Sequence, residues 1–344
     1  MFGFYIVVAI FLVLAILFLI FRVTRLVNVV KGSEDKVATG SNNVNAALML
    51  VFLVGFFALM GWYSWVNFDA YDSPVASDHG IVTDKLFWRT MWVTMIVFVL
   101  THILLFVFAY KYRYDANRRA DFYPHNNKLE IVWTVLPGIV LTWLVISGWL
   151  AWSDITKAAP DDSEQIEIMG YQFAWALRYG GMDNEVGDYD YRLIDAVNQH
   201  GVDFTDRSNF DDFANQSLVI PKGKPVLLKI RARDVLHSVF IPHMRLKMDA
   251  MPGMPTQFWF VANKTTEEMR VEEGNPDFNY ELACTEVCGS GHFAMKKIVT
   301  VLEEADYDAW KADQKSWLSK NPEYMSQVPE NLKELAVVTA GINK

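Results

Sequence analysis

Cysteine is nearly absent from this sequence: two residues in 344, both inside one five-residue stretch. A disulfide framework would spread its cysteines along the chain, so the clustering points to a site instead. No Cys-x-x-Cys-His occurs, which excludes a covalently attached c-type haem. A basic surplus is missing too. The net charge is −9, with residues 1–152 at +2 and residues 153–344 at −11. An acidic second half argues against nucleic acid and for a basic partner. No internal repeat is found.

Apolar sequence, by contrast, is plentiful: 52% of residues are hydrophobic and 14% aromatic. Runs at 2–21, 46–66, 88–110 and 131–152 each reach the ~20 residues a helix needs to cross a hydrocarbon core. Arg22, Arg25, Lys31 and Lys36 lie between the first two runs, and Lys111, Arg113, Arg118, Arg119 and Lys128 between the last two. The loop 67–87 holds Asp69, Asp72, Asp78 and Asp84 against Lys85 alone. Positive loops stay on the cytoplasmic side, so the pattern predicts an outer N-terminus and an outer domain after Trp152. Trp62, Trp65, Trp88, Trp92, Trp149 and Trp152 sit near run ends, as interfacial aromatics do. The first run lacks a charged leading segment and a small-residue cleavage site, so it reads as retained rather than as a signal peptide.

From Gln165 the pattern shifts to short β-prone runs broken by Gly, Pro, Asn and Asp. Gln165–Tyr179, Ser217–Ile220, Pro225–Arg231, Val235–Ile241, Thr256–Val261, Phe278–Ala283 and Lys297–Leu302 are the expected strands. Such spacing predicts a β-sandwich or Greek-key barrel, making the chain a membrane-anchored all-β protein. The polar stretch 180–215 reads as an excursion between strands. Residues 303–344 read as a helix followed by a polar tail with little core material. The expected divisions are 1–66, 67–87, 88–152, 153–302 and 303–344.

The chemistry concentrates in Cys284-Thr-Glu286-Val-Cys288-Gly-Ser-Gly-His292-Phe-Ala-Met295. Upstream, Asp234-Val-Leu-His237-Ser supplies a second imidazole from another strand region. Soft thiolate and thioether donors select copper, and imidazole suits it. A single blue-copper site uses one Cys, two His and a weak Met, so there is one Cys too many for that. Two Cys and two His can also hold structural zinc, which leaves Met295 without a role. A Cys284–Cys288 disulfide would leave both histidines unexplained. Met295 or His237 taken singly reads as a core residue; the occurrence of both cysteines, both histidines and the methionine together is what signals a metal.

Cys-x-Glu-x-Cys-Gly-x-x-His-x-x-Met with Asp-Val-Leu-His-Ser resembles the CuA signature of cytochrome c oxidase subunit II. The likeness covers roughly residues 85–305 and implies a cupredoxin-like barrel. It implies a dinuclear copper centre on His237, Cys284, Cys288, His292 and Met295, with the Glu286 carbonyl as the remaining weak ligand. It further implies that the Glu286 carboxylate shares a magnesium or manganese ion with subunit I, which carries the haems and reduces O2. Glu130-Ile-Val-Trp133-Thr134-Val-Leu-Pro137 resembles the family's Glu-x-x-Trp-Thr-x-x-Pro, whose glutamate stands at a proton-path entrance. The bland reading of Glu130 is an interfacial carboxylate at a helix N-terminus. Gly170-Tyr171-Gln172-Phe173-Ala174-Trp175 resembles the family's Gln-Trp-x-Trp, where electrons arrive, with Phe173 replacing the first Trp. The bland reading of this segment is an aromatic core strand.

The resemblance therefore implies subunit II of an aa3-type, proton-translocating oxidase in a bacterial inner membrane. Its partners would be subunit I, further oxidase subunits and a basic c-type cytochrome. An electron-accepting module of nitric or nitrous oxide reduction is a second reading. A third is a copper carrier loading through Met244, Met248, Met251 and Met254, although Arg245–Gly253 resembles a structural loop of the family. Two apolar runs exceed the family's usual helix pair. Gly55, Ala58 and Gly61 in one of them suggest a docking face for a quinol-oxidising complex.

Overall fold

A computed structural model describes residues 2–31, 39–68, 73–115 and 117–342. Lys36, Asp69 and Asp72, which enter the loop-charge reading, lie outside them. The described residues begin with four long helices: α1 (Phe2–Val30), α2 (Thr39–Val66), α3 (Asp78–Lys111) and α4 (Asn127–Ile155). All four are long and apolar enough to cross a membrane, and their large apolar side chains are mostly exposed. Lipid is the solvent that makes such exposure tolerable, so the chain is a multi-pass membrane protein.

The chain divides into two compact units. One comprises Met1–Asp69 and Val93–Lys128. Within it α2 and α3 meet through aromatic rings: Phe52 on Phe106 at 5.6 Å and Phe56 on Phe98 at 6.2 Å between centroids. Arg113 Nε donates to Asn43 Oδ1 at 2.7 Å at the polar end of this pair.

The other unit comprises Ala70–Trp92 and Leu129–Lys344. Its strands are β1 (Glu164–Tyr171), β2 (Ala174–Tyr179), β3 (Phe213–Asn215), β4 (Leu218–Pro221), β5 (Pro225–Ala232), β6 (His237–Ile241), β7 (Leu246–Ala250) and β8 (Thr256–Val261). After α5 (Thr266–Glu272) come β9 (Tyr280–Cys284) and β10 (Lys296–Leu302). Helices α6 (Glu304–Ala312), α7 (Trp317–Lys320) and α8 (Lys333–Ala340) close the chain. Two five-stranded mixed sheets form, ordered β3-β2-β1-β5-β8 and β4-β10-β9-β6-β7. The β1–β5 and β4–β10 pairs are parallel and the rest antiparallel. Inward Val, Ile and Leu from both sheets, with Trp175, Tyr179, Phe260 and Tyr280, bury one shared core. This is the cupredoxin-like architecture expected. The single expected strand 165–179 is in fact a hairpin, β1 turning into β2 at 172–173, and the short β3 and β7 escaped the sequence reading.

Two further differences have physical causes. The third apolar run extends ten residues upstream as helix, because its first turns are held by the barrel. Ala76 N donates to the His243 carbonyl at 2.7 Å and Ser77 Oγ to the Met244 carbonyl at 2.7 Å. Arg245 clasps Asp84 bidentately, Nε to Oδ1 at 2.7 Å and Nη2 to Oδ2 at 3.0 Å. The C-terminal stretch, expected to have little core material, has a core after all. Leu318, Tyr324, Val328, Ala336 and Ala340 bury against Val202, Phe204 and Phe210 of the excursion. Neither segment holds enough apolar residues to fold by itself, which is why each reads as polar in isolation.

The acids of the excursion are spent largely on its own backbone. Asp206 accepts from Ser208 N and Asp188 N, Asp211 from Met182 N, and Asp190 from Arg192 N. Behind them Glu167 is buried between Arg178 (3.0 Å), His200 (2.9 Å) and Arg231. Burial pushes the Glu167 carboxyl up, but Arg178, His200 and Arg231 outweigh it and hold the group well below the usual carboxylate range.

Candidate metal centre

His237 opens β6 and Cys284 ends β9, and these strands pair only through Val239↔Cys284 and Phe240↔Ala283. That register brings the two side chains to the same end of the sheet. A ring nitrogen of His237, Cys284 Sγ and Cys288 Sγ all lie within 4.8 Å of one another, with His237 Nδ1 3.9 Å from Cys284 Sγ, and all three residues are buried. The loop leaving β9 then folds back, so that His292 Nδ1 stands 3.6 Å and Met295 Sδ 3.3 Å from Cys288 Sγ. The Glu286 carbonyl oxygen lies 3.3 Å from Cys284 Sγ, while its side chain is exposed. The structure thus brings together every residue of the expected copper set. Both thiols are unpaired.

Close approach at this end requires a missing side chain. A Cβ on Gly170 would stand 2.9 Å from Trp175 Cζ3 and 3.0 Å from His237 Cδ2. Trp175 itself is buried with its ring 5.8 Å from that of His237, and its indole N–H donates to the Met295 carbonyl at 3.3 Å. Phe173 is 38% exposed and rests on the loop at Gly289 and Gly291. Glu130 lies elsewhere, exposed in the first turn of α4.

Asp234, part of the Asp-Val-Leu-His-Ser motif, takes a role that only the structure shows. Its Oδ1 lies 2.9 Å from His237 Nε2. A carboxylate can only accept, so Nε2 carries the proton and Nδ1 presents its lone pair towards the thiols. Asp234 also accepts from Gln172 N and Val235 N at 2.8 Å each. Burial opposes its charge, but these donors and His237 hold its carboxyl below the usual range. The available signal was the Asp-x-x-His spacing. Burial, followed by the neighbouring Cys284 thiol, pushes Cys288 up to about 11. A metal binding here must therefore displace protons from sulfur.

The fold and site define a class: a membrane-anchored cupredoxin domain with a two-cysteine, two-histidine, one-methionine cluster, buried except for the half-buried His292. Residues 165–302 match the family described as cytochrome c oxidase subunit II, periplasmic domain, and residues 62–148 match its transmembrane domain. The alternative cytochrome c oxidase subunit 2 of Bradyrhizobium diazoefficiens is 31% identical over 273 residues, 78% of this chain and 91% of the relative. Cytochrome c oxidase subunit 2 of Cereibacter sphaeroides is 26% identical, covering 69% of this chain and 76% of the relative. Among solved structures, the periplasmic domain of subunit II from Bradyrhizobium japonicum is 21% identical with a TM-score of 0.30, covering 45% of this chain and 95% of that one. The chain belongs to the cytochrome c oxidase subunit II family. It is therefore a subunit of a haem–copper oxidase, an oxidoreductase complex.

Asp234→Ala should release the His237 ring while leaving every sulfur in place. We expect copper affinity to fall by about 10–100-fold, measured by competition against a chelator of known affinity; unchanged retention would refute the orienting role.

Proposed function

We propose that this chain is the electron-accepting subunit of an aa3-type cytochrome c oxidase, receiving electrons from a c-type cytochrome and delivering them to subunit I. The observation that carries the reading is the convergence of two buried thiols, two imidazole Nδ1 atoms, a thioether and a carbonyl on one spot. Soft sulfur donors alongside imidazole suit copper, and a thioether 3.3 Å from a thiol has no use in a zinc site. His237, Cys284, Cys288, His292, Met295 and the Glu286 carbonyl would hold two copper ions. Bound there, the pair would supply a one-electron carrier.

The protein's own residues do the rest. Asp234 fixes the His237 tautomer, Trp175 packs against the His237 ring and holds the Met295 carbonyl, and Phe173 covers the loop at Gly289 and Gly291. Phe173 also offers an exposed ring edge to a donor. Glu286 turns its carbonyl to the sulfurs and its carboxylate to solvent, where a hard cation shared with subunit I can bind. Glu130, in the first turn of α4, stands where a proton can enter a path into subunit I. Loop charges support an arrangement in a bacterial inner membrane with the N-terminus and the barrel outside. The match of the transmembrane segment favours an oxidase over a nitric or nitrous oxide reductase module or a copper carrier.

Metal analysis of the purified chain should return two coppers with the spectrum of a mixed-valence thiolate-bridged pair. Cys288→Ser should abolish that spectrum; one zinc, or a single blue copper, would overturn the reading.

The acidic outer half supports a basic donor, with one amendment from the structure. Asp212 is buried, and burial pushes its carboxyl well above the usual range, so it adds little to the steering field. Donor association should slow by about 10-fold or more as salt rises, and salt-independent turnover would reject steering.

For α1 and α2 the proposed role is docking of a quinol-oxidising complex. An added Cβ on Gly55 or Gly61 meets nothing within 4 Å, which leaves that face open to a partner helix. Deleting residues 1–70 should release the partner in mild detergent; full co-purification with unchanged quinol-driven oxygen uptake would end this idea.

A further inference from the structure

The loop that carries three of the donor side chains is braced by a turn that carries none. From outside the loop, Gln172 Nε2 donates to the Cys288 carbonyl. Next to it the Phe173 ring sits in a notch made by two glycines. A Cβ on Gly289 would stand 2.9 Å from Phe173 Cε1, and one on Gly291 would stand 2.5 Å from Phe173 Cγ. Gly289 has φ +134°, so its backbone alone excludes an L side chain. Gly291 is different. Its φ of −94° and ψ of 8° are open to other residues, so the Phe173 ring is what requires glycine there. The same turn reaches the other half of the site, because Gln172 N donates to Asp234 Oδ2 at 2.8 Å and Asp234 holds His237.

We propose that Gln172 and Phe173 are positioning residues that lock the Cys288–His292 segment in register with His237, and that Gly291 is the notch receiving the Phe173 ring. In this role Phe173 works mechanically: a ring packed on the loop keeps Cys288, His292 and Met295 together before any metal arrives. Preorganisation of that kind lowers the cost of assembling a site from a mobile loop. The inference deepens the copper reading and rests on it only for its metal readout.

The test is a double-mutant cycle on the full chain in detergent: Gly291→Ala, Phe173→Ala and the pair together. Two quantities are read, the thermal midpoint of the metal-free chain and the rate of copper loss to a chelator. G291A should lower the midpoint and speed copper loss by about tenfold or more. F173A alone should speed copper loss while keeping two coppers. In the pair, removing the ring removes the clash, so G291A should add almost nothing to F173A. Should G291A fail to fold, recovery of folded protein in the pair gives the same result. If G291A does equal damage with and without the ring, or F173A changes neither quantity, the brace does not exist. If the wild-type chain takes up no copper, the copper reading fails while the metal-free midpoints still decide the brace.

Discussion

The site's donors come from two segments that meet through only two residue pairs, Val239↔Cys284 and Phe240↔Ala283, and the rest of the barrel domain answers to that. Two pairs fix a register but leave the following loop free to swing. Thr285 N donates to the Ser238 carbonyl at 3.2 Å and Cys284 N to the Met295 carbonyl at 3.1 Å, closing the loop at both ends. Its middle is then held from the opposite sheet by Gln172 and Phe173, and its far end by Trp175. The sandwich is thus more than a scaffold under the site. One sheet supplies every donor, and the turn of the other clamps the donors together.

The opposite sheet must therefore be firm where it turns, and its firmness comes from buried charge as well as from apolar packing. Glu167 on β1 faces Arg178 on β2 and Arg231 on β5, so three adjacent strands are tied by one carboxylate. Removing one partner from such a buried set typically costs about 3–5 kcal/mol, far more than the intact set contributes over apolar substitutes. The excursion covers this network: the His200 carbonyl accepts from Arg231 and the Gly187 carbonyl from Arg178. The C-terminal helices cover the excursion in turn, with Trp317 stacked on Phe204 at 5.5 Å and Tyr324 donating to Asp195 at 2.7 Å. A polar insertion and a polar tail become one layer because each supplies what the other lacks.

The legible parts of the sequence were those set by local pattern. Four apolar runs, seven of the strand segments and the Cys-x-Glu-x-Cys…His…Met spacing could all be read directly, because periodicity and ligand spacing are properties of adjacent residues. What escaped depended on side-chain direction or on partners distant in sequence. Asp234, only three residues from His237, orients it because the imidazole turns back towards it, and Gly291 is explained only by a ring 118 positions upstream. The hairpin at 172–173 was hidden because β1 and β2 run together as one apolar, aromatic stretch without Pro or Gly at the turn. The core of the tail was hidden because its apolar residues are sparse until counted with those of 202–210.

The start of α3 shows the same principle at the membrane connection. The helix has 34 residues, about 50 Å at 1.5 Å rise per residue, against a hydrocarbon core of ~30 Å. The surplus is the stretch the barrel holds. Arg245 reaches Asp84 from a backbone with φ 52°, a conformation costing a non-glycine residue about 1–2 kcal/mol. Charge-assisted hydrogen bonds contribute about 1.5–3 kcal/mol each, so two to Asp84 and one to the Ser73 carbonyl outweigh the strain. The other connection is fixed as well, since the Trp259 indole donates to the Lys157 carbonyl at 3.0 Å just past α4. Both connections are thus clamped by side chains of the barrel: the segment entering α3 and the residues just past α4 are held by hydrogen bonds within the same compact unit.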